Sequence, residues 1–155
     1  MNDKEKIEFK NSLKQYAIEV LEKRIEASSS ARSAAQAAAN DEGRSSVGDK
    51  HQTGRAMAHI DVEIHARQLD TAQKDLAFVQ KIDVSVLNDQ IDLGTFAETS
   101  EGRYFFLSGL GVNDFNREKI FYLSISSPVG KMLKGKKAGE KIIFNDKEIQ
   151  ILNVF

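Results

Sequence analysis

Between Asp3 and Asn40 the chain has no proline or glycine, and Phe9, Leu13, Ala17, Val20 and Leu21 recur every three or four residues. That spacing predicts one long helix with a single apolar stripe. From Ala27 to Asn40 the composition shifts to alanine and serine with one charge, Arg32. Such residues favour helix but offer little apolar area for a globular core, so this half is expected to project into solvent. A flexible Ala/Ser linker is the other reading of the same composition. The run Asn40 to Gly48 is rich in turn formers and breaks the periodicity. Beyond it, Ala58, Val62, Leu69, Ala72, Leu76 and Val79 follow a 4-3 heptad with His65 at the intervening polar position, predicting a second helix from Lys50 to Lys81. Two long helices joined by a short turn lie antiparallel.

The pattern then changes to short β-type runs at Val84–Leu87, Arg103–Leu110, Ile120–Ser126, Lys141–Phe144 and Glu148–Val154. Glu101-Gly102 and Asn145-Asp146 are turn sequences, which favours an antiparallel sheet. Ser126-Ser127-Pro128, then Val129, Met132, Leu133 and Gly135, predicts a short helix with a hydroxyl N-cap, proline in its first turn and glycine at its end. The expected fold is α+β: an antiparallel coiled-coil hairpin over residues 1–82, then a sheet domain with one short helix over residues 83–155.

Composition narrows the function. Without cysteine there is no disulfide or thiolate chemistry, and a formal charge of -1 argues against a free-standing nucleic-acid binder held by phosphates. The start MNDKEKIEFK has no apolar core of a signal peptide and no long apolar run follows, so a cytoplasmic protein without membrane association is expected. Neither half is globally polarised, but Lys131, Lys134, Lys136 and Lys137 form a local basic cluster. That cluster lacks the interleaved aromatics of a nucleic-acid stacking platform, which favours protein docking. There is no phosphate-binding glycine loop, nucleophile elbow or Ser-His-Asp pattern, so no active site of its own is expected. His51, His59 and His65 lack a third ligand at metal-binding spacing and read as surface residues. Tyr104 to Leu107 reads as a strand buried on both faces, or as one partly exposed for a partner.

A helical hairpin followed by a small α+β domain containing Ile125-Ser126-Ser127-Pro128-Val129-Gly130-Lys131-Met132-Leu133-Lys134-Gly135-Lys136-Lys137-Ala138-Gly139-Glu140 resembles the GreA/GreB transcript-cleavage factors. The resemblance covers about Gly102 to Phe155. Over the hairpin it is architectural, with Gly48-Asp49-Lys50-His51-Gln52 similar to the G-D-x-x-E of the family's coiled-coil tip. It implies an FKBP-like C-terminal fold and RNA polymerase as partner. It further implies a hairpin that enters the polymerase secondary channel near the nascent RNA 3′ end, with the second domain docked at the rim through Ser126, Ser127, Pro128 and the lysine cluster. The protein would act as a monomer and hold no cofactor of its own.

In that family two tip acids help hold the second Mg²⁺ of the polymerase, a hard ion that prefers anionic oxygen. Asp49 matches the first. The second aligns with Gln52, whose neutral amide is a poorer ligand and cannot act as a base. Asp41 and Glu42, across the turn, are candidates for the missing carboxylate. Stimulated cleavage and simple occupation of the channel both stay open, and Asp49-x-x-Gln52 is also a helix capping box. The rival readings from other classes are an FKBP-like prolyl isomerase or chaperone, and a coiled-coil adaptor that dimerises through the hairpin.

Overall fold

The computed structural model of the chain describes residues 1–42 and 48–155, with side chains described for residues 1–41 and 53–155. Three helices, α1 (Asp3–Glu42), α2 (Gly48–Lys81) and α3 (Pro128–Leu133), accompany six strands: β1 (Phe96–Thr99), β2 (Gly102–Phe106), β3 (Gly111–Phe115), β4 (Glu118–Leu123), β5 (Lys141–Phe144) and β6 (Lys147–Val154). The fold is α+β, with two long N-terminal helices and a six-stranded, mostly antiparallel sheet. None of the described helices is long and apolar enough to cross a membrane. The chain divides into two compact units, Glu19–Ala77 and Met1–Ile18 with Phe78–Phe155.

In the helical unit the apolar stripe is narrow. Leu21, Ala39, Ala58 and Ala72 are buried, whereas Val62, His65, Leu69 and Leu76 are half-buried. Along α1, Ser28, Ala31, Ala35 and Ala39 are the more buried positions of the Ala/Ser run, so its seam is made of small side chains. His65 Nδ1 lies 3.2 Å from Gln68 Oε1 within the same helix. Among the described residues no three His, Cys, Asp or Glu side chains come together as a metal site.

The sheet has the order β3-β4-β2-β1-β6-β5. Its pairs are antiparallel except β2 with β4, which run parallel from Arg103↔Ile120 to Phe106↔Leu123. This exception to an all-antiparallel sheet follows from the β3–β4 hairpin. Asn116 and Arg117 both adopt positive φ in a two-residue type I′ turn, and the hairpin folds back so that β4, not β3, lies beside β2. Asn145 and Asp146 make the same turn between β5 and β6, as their sequence predicts.

Three sequence expectations for strands change. Val84–Leu87 is not a strand, because the Asp83 carboxylate accepts from the Ser85 backbone N–H at 2.9 Å and from its hydroxyl at 2.6 Å, turning the chain. The run predicted to extend to Leu110 ends at Phe106, and the one predicted to reach Ser126 ends at Leu123, where Ser124–Ser127 turns into the cap of α3. Two strands were not legible: β1 is only four residues long, and β3 is a polar edge strand with no apolar alternation.

Side chains alternate between the two faces of the sheet, apart from a register shift in the β1–β6 pair at Glu98/Thr99. On one face Ile91, Ala97, Tyr104, Phe106, Ile142, Ile149 and Ile151 form a buried cluster with Leu133 of α3. On the other, Phe96, Phe105, Ile120 and Tyr122 are fully buried, and the first turns of α1 cover them. Phe9 packs edge-on against Phe96 at a centroid distance of 5.0 Å and near Phe115 and Phe155, while Tyr16 meets Phe115 and Tyr122. The buried Tyr122 hydroxyl donates to the Leu13 carbonyl at 2.9 Å, which satisfies a polar group that would otherwise be costly to bury.

Two lysines on this part of α1 reach the end of α2 and the segment that follows it. Lys14 Nζ donates to the carbonyls of Gln80 and Ile82 at 3.2 and 2.6 Å, and Lys10 Nζ donates to Val86 O at 2.8 Å. The helix's terminal carbonyls lack intrahelical donors and carry partial negative charge, so an ammonium is well matched to them. Lys10 is fully buried. Burial lowers its pKa to about 8, with Asp83 acting in the opposite direction. The charged form is therefore penalised in the native state below about pH 8, and the penalty fades as pH rises toward the unfolded value. The conformational stability is expected to rise by about 2 kcal/mol between pH 8 and 10 relative to a Lys10→Met variant. Urea unfolding of both proteins across that range checks it, and parallel pH profiles would refute it. Above pH 10 the raised pKa values of Tyr104 and Tyr122, both due first to burial, oppose the rise.

Candidate functional site

The residues singled out in the sequence fall into two groups. At the hairpin, Asp41 is exposed in the last turn of α1 and Glu42 is that helix's last residue. Asp49 and Gln52 fall in the opening turns of α2. The side chains of Glu42, Asp49 and Gln52 lie outside the described residues.

The second group is built around α3. Ser127 is its N-cap: the hydroxyl accepts from the Gly130 N–H at 3.1 Å and donates to Ser124 O at 2.7 Å. Pro128 follows at the first helical position, where a missing N–H costs nothing. The Ser126 hydroxyl is 2.8 Å from that of Ser124 and its backbone N–H donates to the same oxygen, so both flanking serines shape the turn. Gly135 stops the helix in the left-handed region, φ 80°, and its N–H donates to Ile91 O at 2.7 Å. Leu133 anchors the helix in the core.

This geometry turns the lysines outward. Lys131, Lys134 and Lys137 are exposed and Lys136 is half-buried. Lys137 Nζ approaches Asp89 Oδ2 at 3.4 Å, while no ion pair joins Lys131, Lys134 or Lys136 to a described residue. The loop at Gln90–Ile91 is zipped to the same segment, with Ile91 N–H donating to Lys136 O at 2.9 Å and a bridge between Gln90 and Lys137. That fixes the basic ridge at its base, and Met132, also exposed, lies among the lysines. A firmly held, exposed set of cations with one apolar side chain suits an acidic protein surface. The contribution of residues 88–92 was not legible, since their polar sequence carries no pairing signal.

No protein-family model matches the chain, and no curated protein matches it in sequence.

Proposed function

We propose that the protein regulates bacterial RNA polymerase by placing the ends of α1 and α2 around Asp41 and Asp49 in the secondary channel while the α3 ridge docks on an acidic surface at the channel rim. The observation that supports this best is the α3 segment. The Ser127-Pro128 cap, the Gly130 and Gly135 positions and the outward lysines give the stretch that resembles the transcript-cleavage factors a defined presenting surface. The small-residue seam of α1 supports it too, because a slender helical arm suits a narrow channel.

In this reading Asp49 is the tip carboxylate and would bear on the Mg²⁺ of the polymerase. Gln52 supplies no second charge, so occupation of the channel is the main action and cleavage a weak one. The test is cleavage of RNA in a stalled, backtracked polymerase complex with added wild type or Asp49→Asn. Asparagine caps a helix nearly as well as aspartate but lacks its charge. Whatever stimulation the wild type gives is expected to fall at least tenfold in the variant, with polymerase binding unchanged. Absence of binding by the wild type would sink the proposal.

A further inference from the structure

An open groove of about 480 Å³ lies within the helical unit, lined by Leu21, Arg24, Ala27 and Ser28 of α1 and by Arg67, Gln68, Thr71, Ala72 and Asp75 of α2. It arises where the seam passes from leucine to alanine, serine and threonine, whose short side chains leave space between the helices. The buried floor is Leu21 and Ala72, with Ser28 and Asp75 half-buried beside it and the two arginines exposed. Neither arginine is in an ion pair with a described residue. With Asp75 offsetting one of them, the lining carries one net positive charge. An apolar floor of this volume with a few polar groups at its margin has the make-up of a small-molecule site.

We propose that this groove binds an amphipathic organic monoanion, with its apolar body against Leu21 and Ala72 and its oxyanion held by Arg67 with Ser28, Gln68 and Thr71 of the same lining. Guanidinium suits the head group because it offers paired donors to two oxygens at once. The lining runs, 21–28 and 67–75, each span only about 10–12 Å of helix, too short a seam for a docked partner helix and well sized for a compact ligand. The inference is independent of the polymerase reading, which uses Asp41 to Gln52 and α3.

The probe is 1-anilinonaphthalene-8-sulfonate, an aromatic monoanion, titrated by fluorescence into the full chain. Saturable one-to-one binding is expected. Arg67→Gln should weaken it about tenfold and Thr71→Met, which fills the groove, should weaken it at least as much, with helicity by circular dichroism unchanged. Ile60→Ser removes an apolar side chain exposed elsewhere on α2 and should leave it unaltered. The parent amine without the sulfonate should bind at least tenfold more weakly. Non-saturable binding, insensitivity to Arg67→Gln and Thr71→Met, or equal affinity for the neutral probe would each overturn the proposal. So would loss of binding in Ile60→Ser, because it would move the probe to the exposed face.

Discussion

A chain truncated to residues 83–155 is expected to lose its fixed tertiary structure, even though it retains all six strands and α3. One face of its sheet would be left bare. Phe96 and Tyr122 are fully buried in the native chain against Phe9, Leu13 and Tyr16 of α1, and Phe105 and Ile120 are fully buried on the same face. Exposing a large apolar side chain costs about 1.5–3 kcal/mol, so the loss over four of them is roughly 6–12 kcal/mol, comparable to the whole stability of a typical domain. The Tyr122 hydroxyl would also lose its acceptor, and the Val86 carbonyl would lose its donor, Lys10. The measurement is amide dispersion in a two-dimensional NMR spectrum of the fragment. A collapsed spectrum is expected, and restoration is expected when residues 1–18 are joined to 78–155 through a flexible linker. A well-dispersed spectrum from 83–155 alone would show that the helix contributes little to the sheet.

The second large effect is expected at Gly130. In an exposed helix, replacing glycine by alanine stabilises by about 1 kcal/mol. Here the sign is reversed, because α3 begins directly over the backbone that leads into it. A Cβ at position 130 would press into the Ser124 carbonyl oxygen and lie 2.9 Å from that of Ile125 and from Ser127 Oγ. Two of these atoms are backbone and the third is the cap itself, so none can rotate away cheaply. Gly130→Ala is expected to cost about 3 kcal/mol, or roughly 10 °C in Tm. Gly109→Ala is the control, since a Cβ there meets nothing within 4 Å. All three tyrosines, Tyr16, Tyr104 and Tyr122, belong to the unit that contains the sheet, so near-ultraviolet circular dichroism reports on that unit. Equal melting of the two variants would refute the argument. If the polymerase reading holds, Gly130→Ala should weaken docking as well, because the lysines depend on α3 for their placement.

Much of the architecture is legible in local chemistry. The 3.6-residue repeat over Phe9 to Leu21 and the heptad from Ala58 to Val79 mark the two long helices, and Asn145-Asp146 marks its hairpin turn. The α3 cap, proline and terminal glycine are also readable, because each acts within a few residues of its own position. The candidate surfaces share this property in part. A lysine cluster is visible as a cluster, but its outward direction depends on Leu133 being drawn into the core and on residues 90–91 binding back to 135–137.

What the sequence by itself determined is therefore the local set: the helical and β-type regions, the α+β class, the capped short helix and the lysines beside it. Each follows from periodicity or from a backbone preference that needs no distant partner. Only the tertiary structure decided that β4 runs parallel beside β2 and that the first turns of α1 cover the sheet. It alone buried Lys10 and brought Arg24 and Arg67 to one groove. The physical reason is common to all four. Pairing partners, burial and convergence are properties of segments far apart in the chain, and an apolar stripe such as that on α1 states that something must be covered without stating what.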